Sequence, residues 1–466
     1  MSGLTSRFGF RAKVLALAAS TALVAGTPAL AQLRSASPTT AAPVPAPVAR
    51  PATTPTPGAP QGPVAGTPGV APSGAVAQPL PEPPPLPPAI WDPVSAQDLV
   101  YYIQQIGREG LEPADYDPAG LEAAIRSGNP MVMSQEATSR FNRVSNDLAL
   151  GHVHRSARMQ WFVVDKDLDA AKQDALLRSA LARHNVRGAL DGLLPTHPQY
   201  SALKEALTLT GAKETAKLNR IKLNMDRWRW LPRDLGEKYI IVNVPGFHAT
   251  LVENGVNRWK HRAIAGATKT PTPQLSAMAV GVMLNPWWEV PPSISHEVAG
   301  KKGYVKSSDG KRWRQPPGPT NALGQVKFVM YNPQNIYLHD TNARSRFSGR
   351  MRALSHGCIR TEHIMDLATE LLGDDGGEWT PDKIQAQLAT GKSKQANFVK
   401  PVPVYIVYFS AAALLDGKIV DYQDLYGRDG KALAALQTKD GGASLFEPKP
   451  KTEVAGKPTA PKVASN

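Results

Sequence analysis

Cysteine is nearly absent from this chain: Cys358 is the only one among 466 residues. An internal disulfide is thereby excluded, and in an oxidising compartment an idle thiol is a liability. Long apolar runs are also missing. The run at 14–25 is too short for a comfortable membrane span, and no other stretch is long and apolar enough. There is no dense block of basic residues either, although the formal net charge is +14 and the pI ≈ 9.7. Scattered positive charge, on a chain whose first residues read as an export signal, argues against nucleic acid. It favours an anionic envelope polymer, with a merely soluble basic surface as the alternative. Residues 35–88 have almost no charge and no aromatic side chain. Such a segment cannot bury enough apolar surface to offset its ordering entropy.

What is present begins with an export signal. Arg7, Arg11 and Lys13 precede the apolar run, and Ala29-Leu30-Ala31 forms an A-x-A cleavage site before Gln32. The expected product is cleaved after Ala31, periplasmic and without a transmembrane segment; an uncleaved anchor is the alternative. No cysteine lies near the site, which excludes lipidation of the bacterial lipoprotein kind. Residues 32–89 read as a Pro/Ala-rich tether, and 437–466, rich in Lys, Pro and Ala, as a disordered tail.

Between these ends, 90–225 carries helical periodicity. Ser95 is placed to cap a helix on which Leu99, Ile103 and Ile106 recur at i, i+4 and i+7. Residues 121–125, 137–150, 170–184 and 200–209 add further helical patterns. After Gly236 the period changes. Residues 239–244, 248–253 and 256–264 read as strands, joined by turns at Pro245-Gly246 and Asn254-Gly255. More strands are expected at 279–284, 326–330, 336–338 and 402–409. A helix is expected over 361–372, and a second one is capped by Thr380. The expected fold class is α+β: a helical domain over 90–225, then a mostly β domain over 226–436. Within the latter, 291–319 is a Lys-, Gly- and Pro-rich excursion with little periodicity, of a length that is usually functional or disordered.

The lone thiol lies in Ser355-His356-Gly357-Cys358-Ile359-Arg360. A free thiol has a pKa of roughly 8.5, so a nucleophilic cysteine needs a base or a positive field. The helix expected from Thr361 puts its N-terminus beside the sulfur and favours a thiolate at neutral pH. His339, at the end of a strand-like run, and His356, two residues away, are the candidate bases; reach favours His339. Gly357 lets the backbone approach closely, so its N–H and that of Cys358 can form an oxyanion hole. A buried structural cysteine is the bland alternative.

That run, preceded by Ile336-Tyr337-Leu338-His339-Asp340-Thr341, resembles the signature of YkuD-type L,D-transpeptidases. The resemblance extends to the long YcbB-like branch of Gram-negative bacteria, through 224–236, Asn285-Pro286-Trp287-Trp288, 315–319, Asn321-Ala322-Leu323-Gly324 and 403–408. It implies a scaffold domain and a β catalytic domain with a capping subdomain near 291–319. It implies Cys358 as nucleophile, His339 as base oriented by the Asp340 carbonyl, and the Gly357 and Cys358 N–H groups as oxyanion donors. The implied substrates are peptidoglycan stem peptides: the thiolate attacks the diaminopimelate carbonyl of a tetrapeptide, D-alanine leaves, and another diaminopimelate amine takes the acyl group. Neither cofactor nor metal is implied. Water and outer-membrane proteins are alternative acyl acceptors, and a catalytically idle wall-binding scaffold is the alternative outside the enzymes. One departure from that branch is the absence of room at 200–224 for an inserted peptidoglycan-binding module.

Other residues are weighed on their chemistry. Arg360 suits a substrate carboxylate, or equally a local salt bridge. His356, Ser355 and Tyr337 are weaker candidates for lining the cleft. His152 and His154 form an H-x-H pair without an evident third ligand, so a surface or packing role is expected. His363 is expected as a solvated helix residue. Trp228, Trp230, Trp287 and Trp288 are expected to pack domains.

Overall fold

A computed structural model describes residues 87–414 and 418–446. The export signal, nearly all of the tether and the last twenty residues of the tail lie outside them. The described residues fall within one compact unit. Among them, no helix is long and apolar enough to cross a membrane.

The N-terminal part is helical: α1 Pro93–Gln105, α2 Pro118–Arg126, α3 Pro130–Leu150, α4 Ala170–Ala182, α5 Val186–Asp191, α6 Pro198–Leu209 and α7 Thr215–Arg229. The cap of α1 differs from expectation. Asp92, not Ser95, is the N-cap, accepting from the N–H groups of Val94 and Ser95 at 3.0 Å each. Pro93 then occupies the first helical position, where no N–H is needed. Leu99, Ile103 and Ile106 are fully buried, as their spacing requires, against Phe141 and Leu148 of α3.

The β part follows. Its elements are β1 Lys238–Asn243, β2 His248–Glu253, β3 Val256–Gly266, β4 Leu275–Leu284, β5 Trp288–Glu289, α8 Ser295–Val298, β6 Val305–Lys306, β7 Trp313–Gln315, β8 Val326–Met330, β9 Leu338–His339, β10 Ala353–Ser355, β11 Ile359–Thr361, α9 Ile364–Gly373, α10 Pro381–Ala389, β12 Lys394–Val407, β13 Ala411–Ala413, β14 Ile419–Asp421, α11 Arg428–Leu436 and α12 Ala443–Phe446. The main sheet has the order β10-β3-β11-β9-β8-β4-β12-β1-β2, and β2 also pairs with β3. The sheet therefore closes on itself and leaves few unpaired edges. Its interior is apolar: Ile240, Val282, Phe328, Leu338, Ile359 and Val404 are fully buried with Leu367 and Ala368 of α9. Each of these side chains except Ala368 contributes roughly 1.5–3 kcal/mol on burial. The β2–β3 turn forms as expected, with Asn254 at φ 49° and Gly255 at φ 76°.

The excursion at 291–319 is more ordered than its composition suggests. β5, β7 and β6 form a separate three-stranded sheet, and Val290, Ile294 and Val298 pack with Trp288, Tyr304 and Trp313 into a small core.

Helices and sheet meet through α7. Trp228 stacks on Phe409 at 4.5 Å, and both belong to a cluster that includes Tyr405 and Val407 of the sheet. Asp226, fully buried, organises the junction. Its carboxylate accepts from the N–H groups of His152 (2.8 Å) and Val153 (3.1 Å) and from the Trp230 indole (2.8 Å), and it pairs with Arg229 at 3.4 Å. Residues 437–446, expected in the disordered tail, instead fold back onto this region. The Gly441 carbonyl accepts from His154 N–H at 2.8 Å, and the Thr438 carbonyl bonds to His152 Nε2 at 2.8 Å.

Of the two roles expected for His152, the structure gives the packing one, with a carboxylate partner that sequence reading did not find. Its Nδ1 lies 2.7 Å from Asp147 Oδ2, a carboxylate five residues upstream. Burial alone pulls the imidazolium down, but the hydrogen bond and charge of Asp147 outweigh it, and the pKa is raised to about 9. A folded pKa above the ordinary 6.5 makes the stabilisation fully present below that value and lost as pH rises through about 9. The denaturation midpoint of the wild type is therefore expected to fall between these pH values more steeply than that of His152→Gln. Parallel curves would show that His152 stays neutral.

Candidate active site

A cavity of about 260 Å³ lies between the closed sheet and the 291–319 segment. Tyr337, His339, Ser355, His356, Cys358 and Arg360 all line it, so six of the eight expected site residues share one space. Gly357 and Asp340 are absent from its lining. The strand register explains the grouping. β9 and β11 run parallel with His339 opposite Arg360, and β8 places Lys327 opposite His339. Cys358 immediately precedes β11.

The nucleophile loop is braced by its own polar groups. Ser355 Oγ donates to the Cys358 carbonyl at 2.6 Å and accepts from Gly357 N–H at 3.1 Å. Thr272 Oγ1 donates to the Gly357 carbonyl at 2.7 Å. Gly357 stands at φ 119°, a conformation that side chains with a Cβ rarely adopt. Of the two expected oxyanion donors, the Gly357 N–H is thus already engaged by Ser355.

The Asp340 side chain faces away from the cavity. Oδ2 accepts from Gln325 N–H at 3.0 Å and pairs with Arg344 at 2.9 Å. Gly324, at φ 61°, leaves room for it, since a Cβ there would stand 2.2 Å from Oδ2. The residue fixes the chain after His339. His339 is buried, and its Nδ1 makes no hydrogen bond among the described residues. Burial and then the Arg360 charge depress its pKa to about 3, against an opposing contribution from the Asp340 backbone.

The thiol is half-buried and donates to the Asn335 carbonyl at 3.7 Å. Burial pushes it up; the Tyr337 backbone N–H, Lys327 and the Tyr337 hydroxyl act in the opposite sense. The expected helix N-terminus does not act here. β11 intervenes, and α9 starts only at Ile364, with His363 as its N-cap rather than as a residue within it. The resting pair is therefore a neutral thiol and a neutral imidazole, not the thiolate expected at neutral pH.

Of the two alternatives for Arg360, a local salt bridge does not form: among the described residues its half-buried guanidinium lines the cavity without a carboxylate partner. His356 is half-exposed and bonds across to Glu297 Oε1 at 3.2 Å, joining the nucleophile loop to the covering segment.

Sequence reasoning missed Lys327 and Glu297. Lys327 lies 3.9 Å from the Tyr337 ring centroid and is drawn down by burial. Its signal was a lone charge inside the apolar strand Val326-Lys327-Phe328-Val329-Met330. Because its charge favours the thiolate, Lys327→Met is expected to move the onset of Cys358 alkylation to higher pH. The rate of iodoacetamide labelling against pH checks this, and an unmoved onset would show that the charge does not reach the sulfur. A second, larger cavity of about 700 Å³ adjoins the first at Tyr337 and is lined by Trp287, Lys327, Tyr331, Asn335 and Gln395 among others. Trp287, expected as a packing residue, is instead 37% exposed in its wall.

A thiol, an imidazole and an unpaired guanidinium in one covered cavity are the groups of a cysteine enzyme. Residues 237–404 match the L,D-transpeptidase catalytic domain of the YkuD family, and residues 88–207 match a scaffold domain. Over these two stretches the chain is similar to a YkuD-type L,D-transpeptidase catalytic domain and to a helical scaffold domain. A protein of Haemophilus influenzae, provisionally named an L,D-transpeptidase, is 31% identical over 248 residues, which are 47% of this chain and 50% of that protein. The chain thus spans about half the length of this relative. Among solved structures, an Enterococcus faecium L,D-transpeptidase catalytic domain acylated by ertapenem is 14% identical, with 37% of this chain and 99% of that chain covered and a TM-score of 0.22. An L,D-transpeptidase from Mycobacterium smegmatis is 15% identical, with 37% and 58% covered and a TM-score of 0.21.

Proposed function

We propose that this protein is a periplasmic L,D-transpeptidase that forms a Cys358 thioester with the diaminopimelate of a tetrapeptide stem and passes it to the side-chain amine of a second stem. The observation that carries this reading is the enclosure of Cys358, His339 and the unpaired Arg360 in one covered cavity. Because thiol and imidazole rest neutral, the sulfur attacks as its proton passes to His339, and no standing ion pair is required. The Cys358 N–H stabilises the oxyanion; the Gly357 N–H joins it only on leaving Ser355 Oγ. His339 returns the proton to the departing D-alanine amine. The incoming amine then breaks the thioester, forms the 3-3 amide and restores the thiol. Arg360 fits a stem carboxylate, and the two adjoining cavities offer one space for each stem.

Two histidines separate on their placement. His339→Ala is expected to lower acylation by about 10²–10⁴-fold, the usual worth of a general base. His356→Ala, which loses only a half-exposed contact to Glu297, is expected to lower it far less. The reverse ranking in single-turnover acylation by ertapenem would make His356 the base.

The reading as a whole is tested by incubating the purified mature protein with diaminopimelate tetrapeptide muropeptides and weighing the products. A 3-3 linked dimer with release of D-alanine is expected. Tripeptide alone would make it a trimming enzyme with water as acceptor, and acylation that turns over only with an outer-membrane protein would assign that acceptor instead. No acyl-enzyme under any of these conditions leaves a wall-binding scaffold.

A further inference from the structure

On the outside of the sheet, three metal-type ligands converge. His261 of β3 and Glu362 and His363, which follow β11, each offer one ligand atom, and these atoms lie within 4.8 Å of one another. No other group of three or more His, Cys, Asp or Glu is so placed among the described residues. Strand register brings them together. Thr361 stands opposite Ala263, and the ladder continues through Glu362 N–H to the Arg262 carbonyl at 2.9 Å. One position further along both chains come His363 and His261. His363 leaves the ladder at φ 53°, a conformation uncommon for a residue with a Cβ, and its ring remains 5.0 Å from that of His261.

The surroundings orient the ligands. Arg262 grips Glu362 with both arms, Nε to Oε2 at 2.8 Å and Nη2 to Oε1 at 2.6 Å. Each carboxylate oxygen keeps a second lone pair, and ligand carboxylates in metal sites are themselves hydrogen-bonded in this way. His261 packs on Trp259 at 4.0 Å between ring centroids, which fixes its ring. Asp366, in the first turn of α9, stands 3.5 Å from His363 Nδ1 and offers a further oxygen.

We propose that His261, Glu362 and His363 form a binding site for a borderline divalent transition cation of the Zn²⁺ type, with Asp366 or water completing the shell. Two imidazole nitrogens and a carboxylate oxygen suit such an ion, whereas Ca²⁺ and Mg²⁺ favour oxygen throughout. Ligand atoms about 2.1 Å from a tetrahedral Zn²⁺ stand roughly 3.4 Å apart. The present ligand atoms, all within 4.8 Å of one another, stand within about 1.4 Å of that spacing, and His363 is the exposed member of the three. The bound ion would tie β3 to the start of α9, at the far end of the strand that Cys358 precedes. The proposal is independent of the acyl-transfer reading and places no metal in that chemistry.

The test is a titration of the mature, untagged protein with ZnCl₂ by calorimetry, with thermal unfolding in parallel and Co²⁺ as an optical probe. The expected result is one equivalent bound, a raised Tm and a Co²⁺ spectrum without a thiolate charge-transfer band. His363→Ala should lose the stoichiometric binding and the Tm rise, each measured against the metal-free Tm of the variant itself. Arg262→Met should weaken binding by about 10–100-fold, as loss of an orienting partner does. Cys358→Ala should bind as the wild type does. Absence of saturable binding, survival of binding in His363→Ala, or its loss in Cys358→Ala would each overturn the proposal.

Discussion

Cys358→Ala is expected to abolish covalent capture of stem peptide or ertapenem altogether. The intact mass of the wild type should gain one acyl group and that of the variant none. The chain contains no second thiol to accept the group. Steady-state turnover should fall on the order of 10⁴-fold or more, the scale seen when a covalent nucleophile is removed. The side chain is only half-buried, and its loss removes one weak hydrogen bond of 3.7 Å, so the variant should remain folded. A persistent adduct in Cys358→Ala would falsify the nucleophile assignment. The pH dependence adds a second readout. Since burial raises the thiol, its labelling by iodoacetamide in the unliganded enzyme should set in above the free-thiol pKa of roughly 8.5. An onset near neutral pH would mean that an ion pair pre-exists.

The largest effect on stability is expected at the helix–sheet junction. Asp226→Ala leaves Arg229 without its carboxylate and strands the N–H groups of His152, Val153 and Trp230, all in the interior. Breaking a buried ion pair from one side costs about 3–5 kcal/mol. Asp226→Asn keeps the shape and one acceptor oxygen, so its cost should be nearer 1–3 kcal/mol. Chemical denaturation of the three proteins gives both numbers. A loss below about 1 kcal/mol for the alanine variant would mean that water enters and satisfies the stranded donors.

Particular residues show how far the sequence could be read. The β2–β3 hairpin was legible because Asn254-Gly255 accepts positive φ and the flanking residues alternate. The grouping of His339 with Cys358 was legible through the spacing of a motif. The short strands β5, β6, β7, β10 and β11 were not, because two or three residues carry no period. Overlooking β11 had a chemical consequence, since it moved the start of α9 too close to the sulfur. Asp92 was passed over as a cap because Ser95 is also a capping residue, and only the backbone distinguishes them. The thiol's direction of titration was out of reach for a different reason. It depends on how deeply the covering segment buries the sulfur and on Lys327, which arrives from a strand far away in sequence.

The fold-back of residues 437–446 bears on the order in which the polypeptide can mature. Synthesis delivers α1 to α7 first, yet His152 and His154 wait for carbonyls at Thr438 and Gly441, nearly three hundred positions later. Until those arrive, the Asp147–His152 pair lacks its outer partner and the scaffold lacks one of its closing contacts. Such long-range closure slows folding and keeps the emerging chain loose. A chain of this design should remain susceptible to protease until residues 437–446 have docked, and then become resistant in a single late step.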